Sequence, residues 1–144
     1  MPETQDHLDK ELYLASERED LETARALLAR GANPNKRGFG WYDCALQAAA
    51  RRESVELVQI LLDSGAAIDA FGGYHASALC GAAQYGNLEI VNLLVAAGAD
   101  LDLVGTYGSA LAVARQKGFG DVVQVLEAAG ARELMPPRQE WREY

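Results

Sequence analysis

The dipeptide Gly-Ala recurs at Gly31-Ala32, Gly65-Ala66, Gly98-Ala99 and Gly130-Ala131, in steps of 34, 33 and 32 residues. A fixed period of this size constrains a fold more than any local signal. Each period has to be one supersecondary unit, and the units have to stack to bury their apolar faces. A second landmark keeps the same register: Ala-Leu stands at Ala45-Leu46, Ala78-Leu79 and Ala110-Leu111, spaced 33 and 32. Each of these four Gly-Ala pairs closes an apolar run, "LETARALLAR", "VELVQILLDS", "LEIVNLLVAA" or "VVQVLEAA".

Within "LEIVNLLVAA", Leu88, Val91, Leu94 and Val95 share one helical face, which Ile90 widens. Ser54 and Asn87 are residue types that cap free N–H groups at a helix start. Gly31, Gly65, Gly98 and Gly130 fall where a helix ends in a left-handed residue. A shorter, Ala-rich helix precedes the long one in "CALQAAARR", "SALCGAAQY" and "SALAVARQK", and its small side chains let two antiparallel helices close on each other. The glycine-rich links "NPNKRGFGWY" and "FGGYHA" read as turns. The expected fold is all-α, a solenoid of about four helix-turn-helix repeats with protruding loops. Residues 1–131 form the repeat domain, with repeats at about 8–37, 38–70, 71–103 and 104–131, and 132–144 form a tail. The charged "HLDKELYLASERE" suits a capping unit. Pro136-Pro137 stops a helix in the tail, where Trp141 and Tyr144 either fold back over the end of the stack or dangle.

The pattern resembles the ankyrin repeat, whose signature is Thr-Pro-Leu-His at the first helix, then Ala-Ala, Gly, an apolar second helix and Gly-Ala-Asp-x-Asn. The matches are "GANPN", "GAAID", "GADLD", Leu46, Leu79, Leu111 and the Ala pairs 49–50 and 82–83, over roughly residues 8–131. The loops look most like the ankyrin arrays of fungal proteins. Departures are systematic. Cys44, Ser77 and Ser109 hold the Thr positions, Ala45, Ala78 and Ala110 the Pro positions, and Gln47, Cys80 and Ala112 the His positions. The resemblance implies that Thr and His tie neighbouring repeats together. Ala112 cannot do so, and the last repeat is expected to be the least tightly held. The link from each Gly-Ala to the next Thr-like position also shortens, from 13 to 12 to 11 residues, so the loop tips should differ.

Charge and composition narrow the function. Thirteen Lys and Arg against 21 Asp and Glu give a net charge of −8, which disfavours nucleic acid in the absence of a basic patch. The acidic start "MPETQDHLDKEL" lacks the pattern of a secretory signal, and no apolar run approaches the ~18 residues of a membrane helix. Two cysteines, Cys44 and Cys80, are too few for a disulfide scaffold, so a reducing cytoplasmic or nuclear setting is expected. Cys80 with His75 suggests a nucleophile and its base, with His75 at a loop tip, but a buried Cys80 acting as a small hydrophobe is the plainer reading. His7 and His75 have no third ligand at metal spacing, and Gly72-Gly73 lacks the Gly-Lys-Ser or Gly-Lys-Thr of a phosphate loop. No metal or cofactor is expected. Glu17, Glu19 and Asp20 read as a solvated face.

Aromatic residues recur in the loop before each first helix: Trp41 and Tyr42, then Tyr74, then Tyr107, with Phe39 and Phe71 beside them. Stacked loops would make an aromatic stripe along one edge of a concave surface, which either binds or simply packs. Arg51, Arg52, Gln84, Tyr85, Gln116 and Lys117 are expected to be exposed on the first helices as a modestly basic edge. By the resemblance, these positions and the loop tips line the groove that meets partners. The expected function is therefore a non-catalytic, monomeric module binding a protein, such as an acidic or amphipathic segment. The alternative is a small-molecule binder or enzyme using an aromatic-lined groove, with His75 or Asp43 as its acid or base. A second alternative makes the tail, 132–144, the docking element.

Overall fold

The computed structural model describes residues 3–137; the expectations for Trp141 and Tyr144 fall outside them. Eight helices occur among the described residues, in four pairs. They are α1 (Gln5–Glu17) with α2 (Leu21–Ala29), α3 (Ala45–Ala50) with α4 (Val55–Asp63), α5 (Ala78–Gln84) with α6 (Leu88–Ala96), and α7 (Ala110–Lys117) with α8 (Gly120–Ala128). First helices pack in order, α1 on α3, α3 on α5 and α5 on α7, and second helices form a parallel row from α2 to α8. The result is a two-layer stack. Three loops between pairs form fingers 1, 2 and 3, each closed by a single antiparallel bridge: Phe39 with Asp43, Gly72 with Ala76, and Gly105 with Gly108. Finger 3 spans one residue fewer, as the shortening link requires.

Local chemistry sets the helix ends. Ser54 accepts from the Leu57 N–H at 3.2 Å and Asn87 from that of Ile90 at 3.3 Å, while Ser77 and Ser109 cap α5 and α7. Gly31, Gly65, Gly98 and Gly130 hold φ between 88° and 92° after the second helices, where a side chain would strain the backbone. Leu46, Leu57, Leu61, Ile90, Leu94 and Leu126 are fully buried, with Ala48 to Ala50 and Ala82–Ala83 filling the narrow gap between helices. Cys44 and Cys80 are buried thiols, and burial pushes both up from their ordinary pKa, so neither is a ready thiolate.

Polar side chains tie each unit to the next in the same register as the Gly-Ala period. Asn35 accepts from the Ala67 N–H at 2.7 Å, Asp69 from that of Asp100 at 2.7 Å, and Asp102 from that of Arg132 at 2.9 Å. Hydrogen bonds from the Arg132 backbone and guanidinium hold the Asp102 carboxyl below the usual carboxylate range. Glu19 is exposed, as expected, and also has a structural task. At φ 58° it accepts from the N–H groups of Glu53 and Ser54 at 2.7 and 2.9 Å, securing the start of α4.

The three positions that differ from the family signature at His form a graded series. Gln47 is buried, and its Nε2 reaches the carbonyls of Ala70, Gly72 and Ala76 at 3.0, 3.1 and 2.9 Å, holding finger 2. Cys80 offers only a thiol, 3.7 Å from the Leu103 carbonyl. Ala112 offers nothing, yet the end of the chain is still tied. Ser109 donates to the Arg132 carbonyl at 2.8 Å and accepts from the Leu134 N–H at 3.0 Å, and its own N–H donates to the Leu134 carbonyl at 2.7 Å. α8 ends at Ala128, before Gly130, and residues 131–137 contain no helix.

Two glycines separate conformational need from free space. Gly73 has φ 66°, and a Cβ there would stand 2.8 Å from the Trp41 carbonyl oxygen. Gly81 lies inside α5, and a Cβ there would meet His75 at an ordinary 3.5 Å. Gly73→Ala should therefore cost about 2 kcal/mol in urea unfolding. Gly81→Ala should add about 0.5–1 kcal/mol, because glycine weakens a helix interior.

Candidate binding surface on the fingers

Finger 1 is shaped by a carboxylate. Asp43 sits at φ 69° and accepts from the Gly38 N–H at 2.9 Å and from Arg37 Nε at 2.7 Å. Arg37 also donates to the Phe71 carbonyl of finger 2. Asp43 is thus committed to closing its own finger and to the contact with the next. Finger 2 then lies directly on finger 1, with the Tyr74 N–H donating to the Trp41 carbonyl at 2.7 Å.

This contact brings the rings together. Trp41 meets Tyr74 edge to face at 6.4 Å between centroids, and Tyr74 meets Tyr107 at 6.0 Å with their hydroxyls 3.3 Å apart. The recurring aromatics form one continuous ridge, and its rings touch. Trp41 is 75 % exposed, Tyr74 44 % and Tyr107 43 %, so the same residues both pack and face outward. Phe71 is exposed beside them. Phe39 turns inward instead, half-buried against Tyr13 at 5.6 Å. The Tyr13 hydroxyl in turn accepts from the Tyr42 N–H at 3.4 Å.

His75 is the clearest departure from expectation. It is 6 % exposed and does not stand at a loop tip. The finger-on-finger contact covers it. Tyr42 stacks on its face at 5.5 Å and 17°, while Tyr74 and Tyr85 meet it edge to face at 4.8 and 5.4 Å. Burial, helped by the nearby Arg51 charge, lowers its pKa to about 4. It is neutral at pH 7, and its Nε2 is buried without a hydrogen-bond partner. The cavity it shares with Tyr74, Cys80, Gln84 and Tyr107 measures about 10 Å³, room for one water at most. The enzyme and small-molecule alternatives called for a roomy apolar cavity at His75, of several hundred Å³. His75 is perturbed, but that cavity is not present beside it.

The basic edge is less open than expected. Tyr85, Gln116 and Lys117 are exposed, but Arg51, Arg52 and Gln84 are half-buried. The reason for Arg51 is the neighbouring ring: its guanidinium lies 4.2 Å from the Tyr42 ring centroid, and it points toward Glu17 at 3.6 Å. Gln116 donates to the Tyr107 carbonyl at 3.1 Å and bridges to Met135, which is exposed at the end of the ridge. Sequence reasoning passed over Met135, Arg37 and Tyr13. Only Arg37 carried a signal, as a cation six residues before an acid in a glycine-rich loop.

A family model for ankyrin repeats, in three copies, matches residues 12–104. No curated protein matches the chain. Among the described residues no helix is long and apolar enough to cross a membrane.

The buried imidazole has a signature in stability. A folded-state pKa below the unfolded value means that the unfolded chain binds the extra proton. His75 then contributes fully above pH 6.5, and its contribution is lost as pH falls from 6.5 to about 4. The loss amounts to up to about 3 kcal/mol. Urea unfolding at pH 7 and pH 4 should show this fall in the wild type. His75→Phe should show a smaller fall, because the buried imidazole's share is gone.

Proposed function

Because the chain belongs to the ankyrin repeat family, whose repeats are generally protein-interaction modules, we propose that it is a non-catalytic binding module. It captures a protein partner on the aromatic finger ridge and the adjoining ends of the first helices. The observation that carries this reading is one of placement. All six large apolar side chains exposed among the described residues, Trp41, Phe71, Tyr74, Tyr85, Tyr107 and Met135, belong to the fingers, the end of α5 or the segment beside finger 3. None lies on α2, α4, α6 or α8. Clustered exposed aromatics on a rigid support are the composition of binding hot spots.

Charge suggests the partner's chemistry. Arg51 is already turned to Tyr42 and Glu17, but Arg52, near Tyr85, and Lys117, at the end of α7, add positive charge on a chain of net charge −8. Arg115, by contrast, is committed to Glu127 and Glu133. An acidic or amphipathic segment, with apolar side chains on the ridge and carboxylates toward Arg52 and Lys117, fits this arrangement.

Partner proteins captured by the wild type, identified and purified, provide the test. Trp41→Ala with Tyr74→Ala should weaken their Kd at least tenfold, since hot-spot truncations cost about 2 kcal/mol or more each. Gln59→Ala with Asn92→Ala, on the outer helices, should leave Kd unchanged. Equal affinity for the ridge variant would refute the proposal.

A further inference from the structure

The neutral, enclosed His75 supports the ridge from below, and its surroundings say what else it can do. Its Nε2 has no partner, so an imidazolium there would carry a charged N–H with no acceptor. Tyr42, which stacks on one face of the imidazole, already has the Arg51 guanidinium 4.2 Å from its ring centroid. A protonated His75 would therefore place a second cation on the same ring. The other groups around it give no relief. Finger 2 contributes Tyr74, α5 contributes Tyr85, Cys80 and Gln84, and finger 3 contributes Tyr107. None of these is a carboxylate that could pair with an imidazolium. The nearest carboxylates are committed elsewhere, Asp43 to Arg37 and Gly38, and Glu17 toward Arg51.

We propose that His75 is a proton-operated latch for the finger ridge: a proton taken from solvent at Nε2 drives the imidazole out of its tyrosine cage and uncouples Tyr74 from Trp41 and Tyr107. The mechanical link is short. Tyr74 touches His75 at 4.8 Å, Trp41 at 6.4 Å and Tyr107 at 6.0 Å, so the ring that forms the centre of the ridge is also a wall of the cage. Leaving the cage breaks side-chain contacts while the helices keep their caps and the Gln47 anchor at the finger base. The opening is local. Two routes to the protonated state compete, titration in place near pH 4 and titration after opening near pH 6.5. The transition therefore falls between these values, at the pH where opening becomes the cheaper route. The consequence for partner capture rests on the ridge being the binding surface, whereas the latch itself is a property of the isolated chain.

Tryptophan emission tests the latch without any partner. In a Trp141→Phe background Trp41 is the only tryptophan, and it reports the ridge directly. Titration from pH 7.5 to 3.5 should give an emission step with its midpoint between 4 and 6.5, while far-UV circular dichroism stays constant through it. His75→Phe should abolish the step. Arg51→Gln, which keeps His75 but removes the cation opposing an imidazolium in the closed cage, weakens the drive to open and should not raise the midpoint. A step that persists in His75→Phe would overturn the latch. So would one that coincides with loss of helix signal, or one that Arg51→Gln moves to higher pH. Loss of partner binding in the ridge variants has no bearing on this readout.

Discussion

No helix pair in this chain can bury its own apolar face, and everything else follows from that constraint. α5 is seven residues long and α6 nine, each too short to persist alone in water, where isolated helices shorter than about 12–15 residues are marginal. They persist because Leu79, Ile90, Val91 and Leu94 belong to one cluster that runs without a break from Leu8 to Leu126. Stacking then has to satisfy the polar groups it covers. The chain does this at each junction with an Asn or Asp from one unit aimed at a backbone N–H of the next. The junctions are nonetheless unequal. Gln47 grips three carbonyls of finger 2, Cys80 offers one weak donor to the approach of finger 3, and Ser109 binds the segment after α8 through its hydroxyl and backbone.

The periodic part of this architecture was legible because it depends on local chemistry repeated in register. Cap residues, the glycines after each second helix and the apolar face of "LEIVNLLVAA" each have a reason that lies within a few residues. The aromatic ridge was legible in outline for the same reason, since one large ring recurs in every loop. What lay hidden depends on contacts between units. His75 looks like a loop tip because its neighbours in sequence are Gly72, Gly73 and Tyr74. It is buried because finger 2 leans on Tyr42 of finger 1, a contact that no local pattern encodes. Arg51 likewise reads as a solvated helix-end cation until the ring of Tyr42 lies beneath it. Glu19 reads as one acid among several on a charged cap, yet its carboxylate holds the residues that lead into α4, Glu53 and the N-cap Ser54.

The same leaning of finger on finger joins structure to function. A row of exposed aromatics on independent loops would lose rotamer and backbone freedom on meeting a partner, and that loss would weaken binding. Here the rings of Trp41, Tyr74 and Tyr107 are already held by one another, and the backbones beneath them by the hydrogen bond from Tyr74 to Trp41 and by Arg37. The surface is pre-organised, and the tyrosine hydroxyls keep it compatible with water before a partner arrives. His75 completes the support from below. Its neutrality is what allows three tyrosine rings to pack around it.

The central claim is that recognition occurs on the fingers and the adjoining ends of the first helices, while the outer helices serve only as scaffold. Backbone hydrogen exchange, measured on the free chain and on its complex with a captured partner, tests this claim most directly. Added protection should concentrate at residues 39–43, 72–76 and 105–108 and near Arg51 and Tyr85, with α4, α6 and α8 unchanged. Protection gained on those outer helices, with the fingers exchanging as in the free chain, would contradict it.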